Sequence, residues 1–204
     1  MSNTWATIIV AAGSGQRFSS ETLKQYAPLC GKAVLAYRLE TFAKYGPVAL
    51  VVNPAHAPYF PPLAANVSII EGGKTRQESV ANGLAALAKH APQYVMIHDA
   101  ARPLVSDDAI TRIKSSLEYG AQAATLAVPV ADTLMRGTTV VDRTDVMSIQ
   151  TPQAFAFNVI STAHTRAAGK AYTDDASLVF AETGIESTFV EGELDNFKIT
   201  TQSD

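Results

Sequence analysis

The sequence predicts an α/β fold, a mainly parallel sheet with helices on both faces. Three observations predict it. Short apolar runs of strand length alternate with stretches whose apolar residues recur at helical spacing, the pattern of successive strand–helix units. Small or polar residues follow directly on those runs, at Ala11-Ala12-Gly13-Ser14-Gly15, at Gly72-Gly73 and at Asp99. In open parallel sheets, ligands collect beyond the carboxyl ends of the strands, where these three features fall. Finally, the 204 residues are 47% apolar and 17% charged, which fits one sizeable core and a single domain over 1–204.

Thr7 to Val10 opens the chain as a buried strand. Val34, Leu35, Leu39 and Phe42 fall at helical spacing, and Gly46-Pro47 stops that helix. Val48 to Val52 is a second strand, ended by Asn53-Pro54, and the proline-rich stretch Pro54 to Pro62 reads as an irregular surface loop. Val67 to Ile70 makes a third strand. Thr75 and Glu78 then form a capping box for a helix buried along Val80, Leu84 and Leu87. Tyr94 to Ile97 is a fourth strand, opening into His98-Asp99-Ala100-Ala101-Arg102-Pro103. Ser106 caps a helix carrying Ile110, Ile113 and Leu117, which Gly120 ends, and Ala123 to Val130 makes a further buried strand.

Residues 131–153 break the alternation. Asp132 to Gly137 and Thr139 to Arg143 read as a β-hairpin turning near Gly137, with too few apolar residues to bury two faces. The expectation is an arm projecting toward a partner subunit; a flap over its own subunit is the alternative. Ile149 to Phe155 returns to the sheet, helices follow at Asn158 to Ala168 and Asp174 to Glu182, and Glu186 to Val190 is a late strand.

The opening turn carries the chemistry. Its small residues and glycines let backbone N–H groups approach a ligand closely, and Arg17 and Lys24 add two cations. Strand, glycine turn and local positive charge suit a polyphosphate; the bland alternative is a tight turn that binds nothing. Two better-known motifs are excluded. The dinucleotide fingerprint requires a third glycine where Phe18 stands, and Gly73-Lys74-Thr75 lacks the first P-loop glycine, since Ser68 occupies that position.

A net charge of −3 argues against general nucleic-acid binding. The lone Cys30 cannot form an internal disulfide, as suits a reducing cytoplasm. Apolar runs stay well short of the roughly 18 residues of a membrane span, and no charged-then-apolar leader is seen.

Taken in order, AAGSGQRF, KQY, GGKTRQESV, HDAARP, PVADT, DR, QTPQAF, TDDAS and EG-x-x-x-NFKIT resemble the 2-C-methyl-D-erythritol 4-phosphate cytidylyltransferases of non-mevalonate isoprenoid synthesis, over nearly the whole chain. The resemblance implies a Rossmann-like three-layer sandwich of the nucleotidyltransferase, glycosyltransferase-A-like kind. It implies transfer of CMP from CTP to the phosphate of methylerythritol 4-phosphate with release of pyrophosphate, in a cytoplasmic homodimer joined through the arm. Arg17 and Lys24 match the transition-state stabilisers, preorganised cations for the charge that builds at the α-phosphorus. Arg143 and Lys198 match the clamp that aims the attacking phosphate. Resemblance places Ala11, Ala12, Gly13, Ser14, Gly15 and Ala100 against the nucleotide and lets Gly73 and Ser79 reach the cytosine. Asp99, Thr133, Arg143, Thr173 and Lys198 match the sugar-phosphate set.

A divalent cation, Mg²⁺ foremost, is expected to ride on the triphosphate with several waters, and no protein ligand is assigned to it. The nucleophile is already charged, so no general base is demanded, and His56, His90, His98 and His164 read as structural or surface residues. Arg76 either serves the site or anchors its turn, the latter favoured, and Arg102 is expected in a structural ion pair with Asp99 or a neighbouring carboxylate. Lys74 stands where some members carry an acid, and Val146-Met147 replace a bulkier pair.

Two rivals remain: a ribitol 5-phosphate cytidylyltransferase, against which Ala101 and TDDAS weigh, and a non-catalytic nucleotide-binding module, which would be expected to lack Arg17 or Lys24. Thr201 to Asp204 stands where the family continues into a final helix. A short terminus, an omitted tail and the first half of a bifunctional chain carrying a cyclodiphosphate synthase are all compatible with that.

Overall fold

The computed structural model describes residues 4–13, 18 and 23–204. The main sheet has seven strands. In chain order they are β1 (Trp5–Val10), β2 (Val48–Val52), β3 (Val67–Glu71), β4 (Tyr94–Asp99), β5 (Ala123–Pro129), β6 (Met147–Ala156) and β7 (Thr188–Glu191). Five helices pack on it: α1 (Val34–Phe42), α2 (Arg76–Leu87), α3 (Asp107–Glu118), α4 (Phe157–Arg166) and α5 (Asp175–Thr183). Across the sheet the order is β7-β5-β6-β4-β1-β2-β3, every pairing parallel except the two made by β6.

Side chains alternate across a strand, so each central strand feeds two cores. Trp5 and Ile9 of β1, with Val48, Leu50 and Val52 of β2, pack toward Leu35, Leu39 and Phe42 of α1 and Ile110, Ile113 and Leu117 of α3. Ala6 and Ile8, with Ala49 and Val51, face Val80, Leu84 and Leu87 of α2 and the apolar faces of α4 and α5. Three layers result. Strands buried on both faces read as continuous apolar runs, which is why β1, β2 and β4 are plain in the sequence.

The caps Thr75 and Ser106 follow the predicted chemistry, and Asp174, expected inside its helix, is instead the cap of α5; each accepts a hydrogen bond from the backbone N–H three residues on. The capping box differs in one respect. Glu78 reaches the N–H of Lys74, one residue before the cap, at 2.6 Å. Residues 54–62 also depart from expectation, since Pro54–Tyr59 is a 3₁₀ helix capped by the Asn53 side chain. The proline at its first turn gives up an N–H that a helix start leaves unpaired anyway.

Gly46 does more than stop a helix. Its φ is +144°, and a Cβ there would lie 2.1 Å from the Trp5 carbonyl oxygen. Arg38 of α1 is buried, donates from Nη1 to the Val105 carbonyl at 3.0 Å, and has its pKa lowered to about 10 by burial, with Asp107 opposing.

The reversed strand decides what reaches the site. Because β6 runs against β4 and β5, its first residues lie beside their carboxyl ends, and a bulge falls between Ile149 and Gln153. The segment joining β5 to β6 therefore leaves from the same end. Within it, Met135–Arg136 pairs with Thr139–Val140 as the expected hairpin, and Met135 and Val140 are 59% and 62% exposed.

Candidate active site

After β1 the chain passes to β2 on one side of the sheet and after β4 to β5 on the other, so these neighbouring strands open a crevice at their carboxyl ends. Val10 is in register with Asp99, which sets Ala11 to Gly13 beside Ala100 and Ala101. A cavity of about 310 Å³ lies there, lined by those residues together with Lys24, Gln25, Gly73, Lys74, Arg76, Ser79 and Lys198.

One wall is the opening turn. Gln25, 3% exposed, donates from Nε2 to the carbonyls of Ala11 at 2.9 Å and Gly13 at 3.0 Å. Lys24 projects beside it and donates to the Ile199 carbonyl at 2.9 Å. Ile199 is itself tied to Ala101 by its N–H, so the C-terminal segment forms the rim. The calls on Ser14, Gly15 and Arg17 lie outside the described residues.

The opposite wall is the turn from β3 into α2. Gly72 must be glycine, because a Cβ there would meet the Ala12 Cβ at 2.4 Å. At Gly73 a Cβ would meet that of Glu78 at 2.3 Å. The buried Ser79 hydroxyl accepts from the Gly73 N–H and donates to the Thr75 carbonyl, so Ser79 shapes the turn that faces the cavity.

The floor is Asp99. Its Oδ1 lies 3.3 Å from Arg76 Nε and its Oδ2 2.6 Å from Lys198 Nζ. Burial would raise this carboxyl, but Arg76, Lys198 and Arg102 outweigh it and hold the pKa well below the usual carboxylate range. Arg76 is opposed by burial in turn, and Asp175 and Asp99 more than compensate, raising it. Arg76 thus both anchors its turn and lines the site.

Beneath the floor, Thr151 of β6 accepts from the Asp99 N–H at 3.1 Å and lies 3.2 Å from His98 Nδ1. The Arg102 carbonyl, 3.1 Å from Nε2, can only accept, so Nε2 carries the proton and the Nδ1 of the neutral ring accepts from the Thr151 hydroxyl. His98 is therefore a neutral ring inside the fold, its pKa lowered to about 3 by burial first and the Arg38 charge next. Arg102 corrects an expectation. Its guanidinium donates to the carbonyls of Asn196, at 2.7 Å, and Ile149 instead of closing a carboxylate pair. The backbone in this corner has turned carbonyls inward, and an arginine fork satisfies them.

The structure brings Ala11, Ala12, Gly13, Lys24, Gly73, Ser79, Asp99, Ala100 and Lys198 to one cavity. Thr133, Arg143 and Thr173 are exposed and lie off its lining. Arg143 donates to the carbonyls of Val130 and Ala131 at the root of the arm. Gln25, Thr151, Asp175 and Asn196 carry roles that the sequence does not show. Asn196 is wholly buried and donates to Gln150 Oε1 and the Thr151 carbonyl, fixing the segment that carries Lys198.

This geometry has well-matched relatives. The profile of the 2-C-methyl-D-erythritol 4-phosphate cytidylyltransferases matches residues 5–204. A bifunctional enzyme IspD/IspF of Allorhizobium ampelinum is 44% identical over 222 residues, covering 98% of this chain and 54% of its own. A 2-C-methyl-D-erythritol 4-phosphate cytidylyltransferase of Cereibacter sphaeroides is 42% identical, covering 98% of this chain and 93% of its own. The crystal structure of the Francisella tularensis cytidylyltransferase superposes with a TM-score of 0.86 at 28% identity, covering 99% and 96% of the two chains. The chain spans about half the length of the bifunctional relatives it matches, 54% of the Allorhizobium one. On sequence and fold together, the chain belongs to the 2-C-methyl-D-erythritol 4-phosphate cytidylyltransferase family.

Proposed function

We propose that this chain transfers CMP from CTP to 2-C-methyl-D-erythritol 4-phosphate, giving 4-diphosphocytidyl-2-C-methyl-D-erythritol and pyrophosphate for isoprenoid synthesis. A phosphate oxygen of the sugar attacks the α-phosphorus in line. One P–O bond forms, the bond to the β-phosphate oxygen breaks, and its electron pair leaves with pyrophosphate. The observation that carries this reading is the meeting of Lys24, Lys198 and the Arg76–Asp99 pair around a cavity walled by two glycine turns.

Each residue has a task. The turn Ala11 to Gly13 and the Gly73–Ser79 wall receive the nucleotide, with Gly73 and Ala100 offering backbone contacts. Lys24, a point charge on a flexible stem, neutralises charge on the α-phosphate and the leaving group, with Arg17 as its partner. Asp99, kept ionised, accepts from hydroxyls. Lys198 grips the sugar phosphate, and Thr133, Arg143 and Thr173 complete that pocket. Arg143 sits on an exposed arm away from its own cavity, which suits delivery to a partner's site in a homodimer.

Among the described residues no three His, Cys, Asp or Glu side chains gather as a metal cage, and Asp99 already carries two cations. Mg²⁺ is proposed as a passenger of the triphosphate, and no step above runs through it. The setting is proposed as cytoplasmic; no described helix is long and apolar enough to cross a membrane.

The test is pyrophosphate release from CTP with a panel of sugar phosphates. Turnover requiring methylerythritol phosphate supports the proposal. Faster turnover with ribitol 5-phosphate would move the chain to that neighbouring activity, and tight CTP binding without turnover would make it a binding module.

A further inference from the structure

Four alternating charges run from α5 to the cavity. Asp175, at the first position of α5 and 1% exposed, has Oδ2 2.8 Å from Arg76 Nη1. Arg76 Nε then lies 3.3 Å from Asp99 Oδ1, and Asp99 Oδ2 lies 2.6 Å from Lys198 Nζ. Arg76, Asp99 and Lys198 line the cavity; Asp175 does not. A carboxylate so deeply buried is costly unless paired, and the proposed chemistry gives Asp175 no part.

The fork of Arg76 explains the arrangement. An unrestrained guanidinium meets a carboxylate side-on, through two nitrogens and both oxygens. Here Asp175 takes one nitrogen, so Asp99 receives Nε on one oxygen and keeps the other for Lys198. The same region is fastened a second time, by the Tyr172 N–H to Gln77 Oε1 at 3.0 Å.

We infer that Asp175 and Arg76 are positioning residues, holding Asp99 by one oxygen so that the other fixes Lys198 where the sugar phosphate must dock. This rests on the reading that Lys198 grips that phosphate. It predicts that Asp175→Asn, by allowing Arg76 to cover both oxygens of Asp99, loosens Lys198.

The test compares Asp175→Asn, Arg76→Lys and the double variant. Each single variant should raise KM for the sugar phosphate about tenfold, as for substitutions along a coupled network, and in Asp175→Asn, whose residue lies outside the cavity lining, the Kd for CTP alone should stay near wild type. The double variant should rise no further, because both changes break one chain. Unchanged KM with lower Tm, or multiplying effects, would overturn the inference. A second readout needs no turnover: the NMR signal of the Lys198 side chain, assigned through Lys198→Arg in lysine-labelled protein, should shift in Asp175→Asn. An unmoved signal overturns the inference whatever the substrate is. A wild type with no turnover overturns the proposed reaction and leaves the lysine signal to decide this point.

Discussion

Gln25 holds Ala11: its side-chain amide donates to the Ala11 carbonyl at 2.9 Å and to Gly13 at 3.0 Å, clamping both ends of the turn that leaves β1. With their carbonyls turned to Gln25, those residues keep their shape without a ligand. Gln25→Glu would set a carboxylate against two carbonyl oxygens, a loss of about 1–3 kcal/mol at a buried site. Affinity for CTP should fall about tenfold, since 1.4 kcal/mol is a factor of ten. Titration calorimetry with CTP checks it, and unchanged affinity would remove Gln25 from the site's support.

Lys24→Ala should lower kcat about 10²-fold or more, the usual effect of removing one donor to a developing oxyanion. Arg143→Ala should act chiefly on KM for the sugar phosphate. Mixing the two variants should restore part of the activity if the arm serves a partner's site, because one site of a mixed dimer then keeps both residues. Steady-state rates of demonstrated mixed dimers decide this, and no recovery would return Arg143 to its own subunit.

Much of this architecture is legible in the sequence, for physical reasons. Strands buried on both faces are apolar throughout, and the caps Thr75 and Ser106 announce their helices. Glycines at 72 and 73 mark a turn; the reason at Gly73, the approach of Glu78, is local, whereas that at Gly72, the approach of Ala12, is tertiary. The reversal of β6 is not legible, because direction depends on which neighbours a strand finds. For the same reason, the burial of Arg38 and Arg102's choice of carbonyls over carboxylates escape the sequence. Gln25, Asp175 and Asn196 stand inside the family strings, but their work is to hold other residues, and periodicity carries no trace of that.

Stability should fall as pH drops below about 6.5. His98 stays neutral in the fold down to about pH 3, against an ordinary value of 6.5. Between those values the unfolded chain takes up a proton that the folded chain refuses, so stability is lost at about 1.4 kcal/mol per pH unit. His164, lowered by burial, shifts the same way. The lowered carboxyl of Asp99 adds its own loss below the ordinary carboxylate range, whereas Asp175, raised by burial, acts in the opposite sense. His98→Gln should flatten the slope between pH 6.5 and 4.5, measured by urea unfolding across pH. An unchanged slope would show that His98 is not the group responsible.

Gly46→Ala should cost about 3 kcal/mol or more, through strain at positive φ together with a steric clash against β1. Gly137→Ala, at φ +62° with nothing within 4 Å of the added carbon, should cost only about 1 kcal/mol. Thermal unfolding of both variants checks the contrast, and equal costs would contradict the packing described for Gly46.

The central claim is that two glycine turns and the cations between them hold a nucleoside triphosphate. The most direct measurement is a crystal structure grown with CTP and Mg²⁺. The account predicts the cytosine against Gly73 and Ser79, the ribose at Ala100 and the phosphates within reach of Lys24. Electron density for the nucleotide outside this crevice, with Lys24 still on the Ile199 carbonyl, would contradict it.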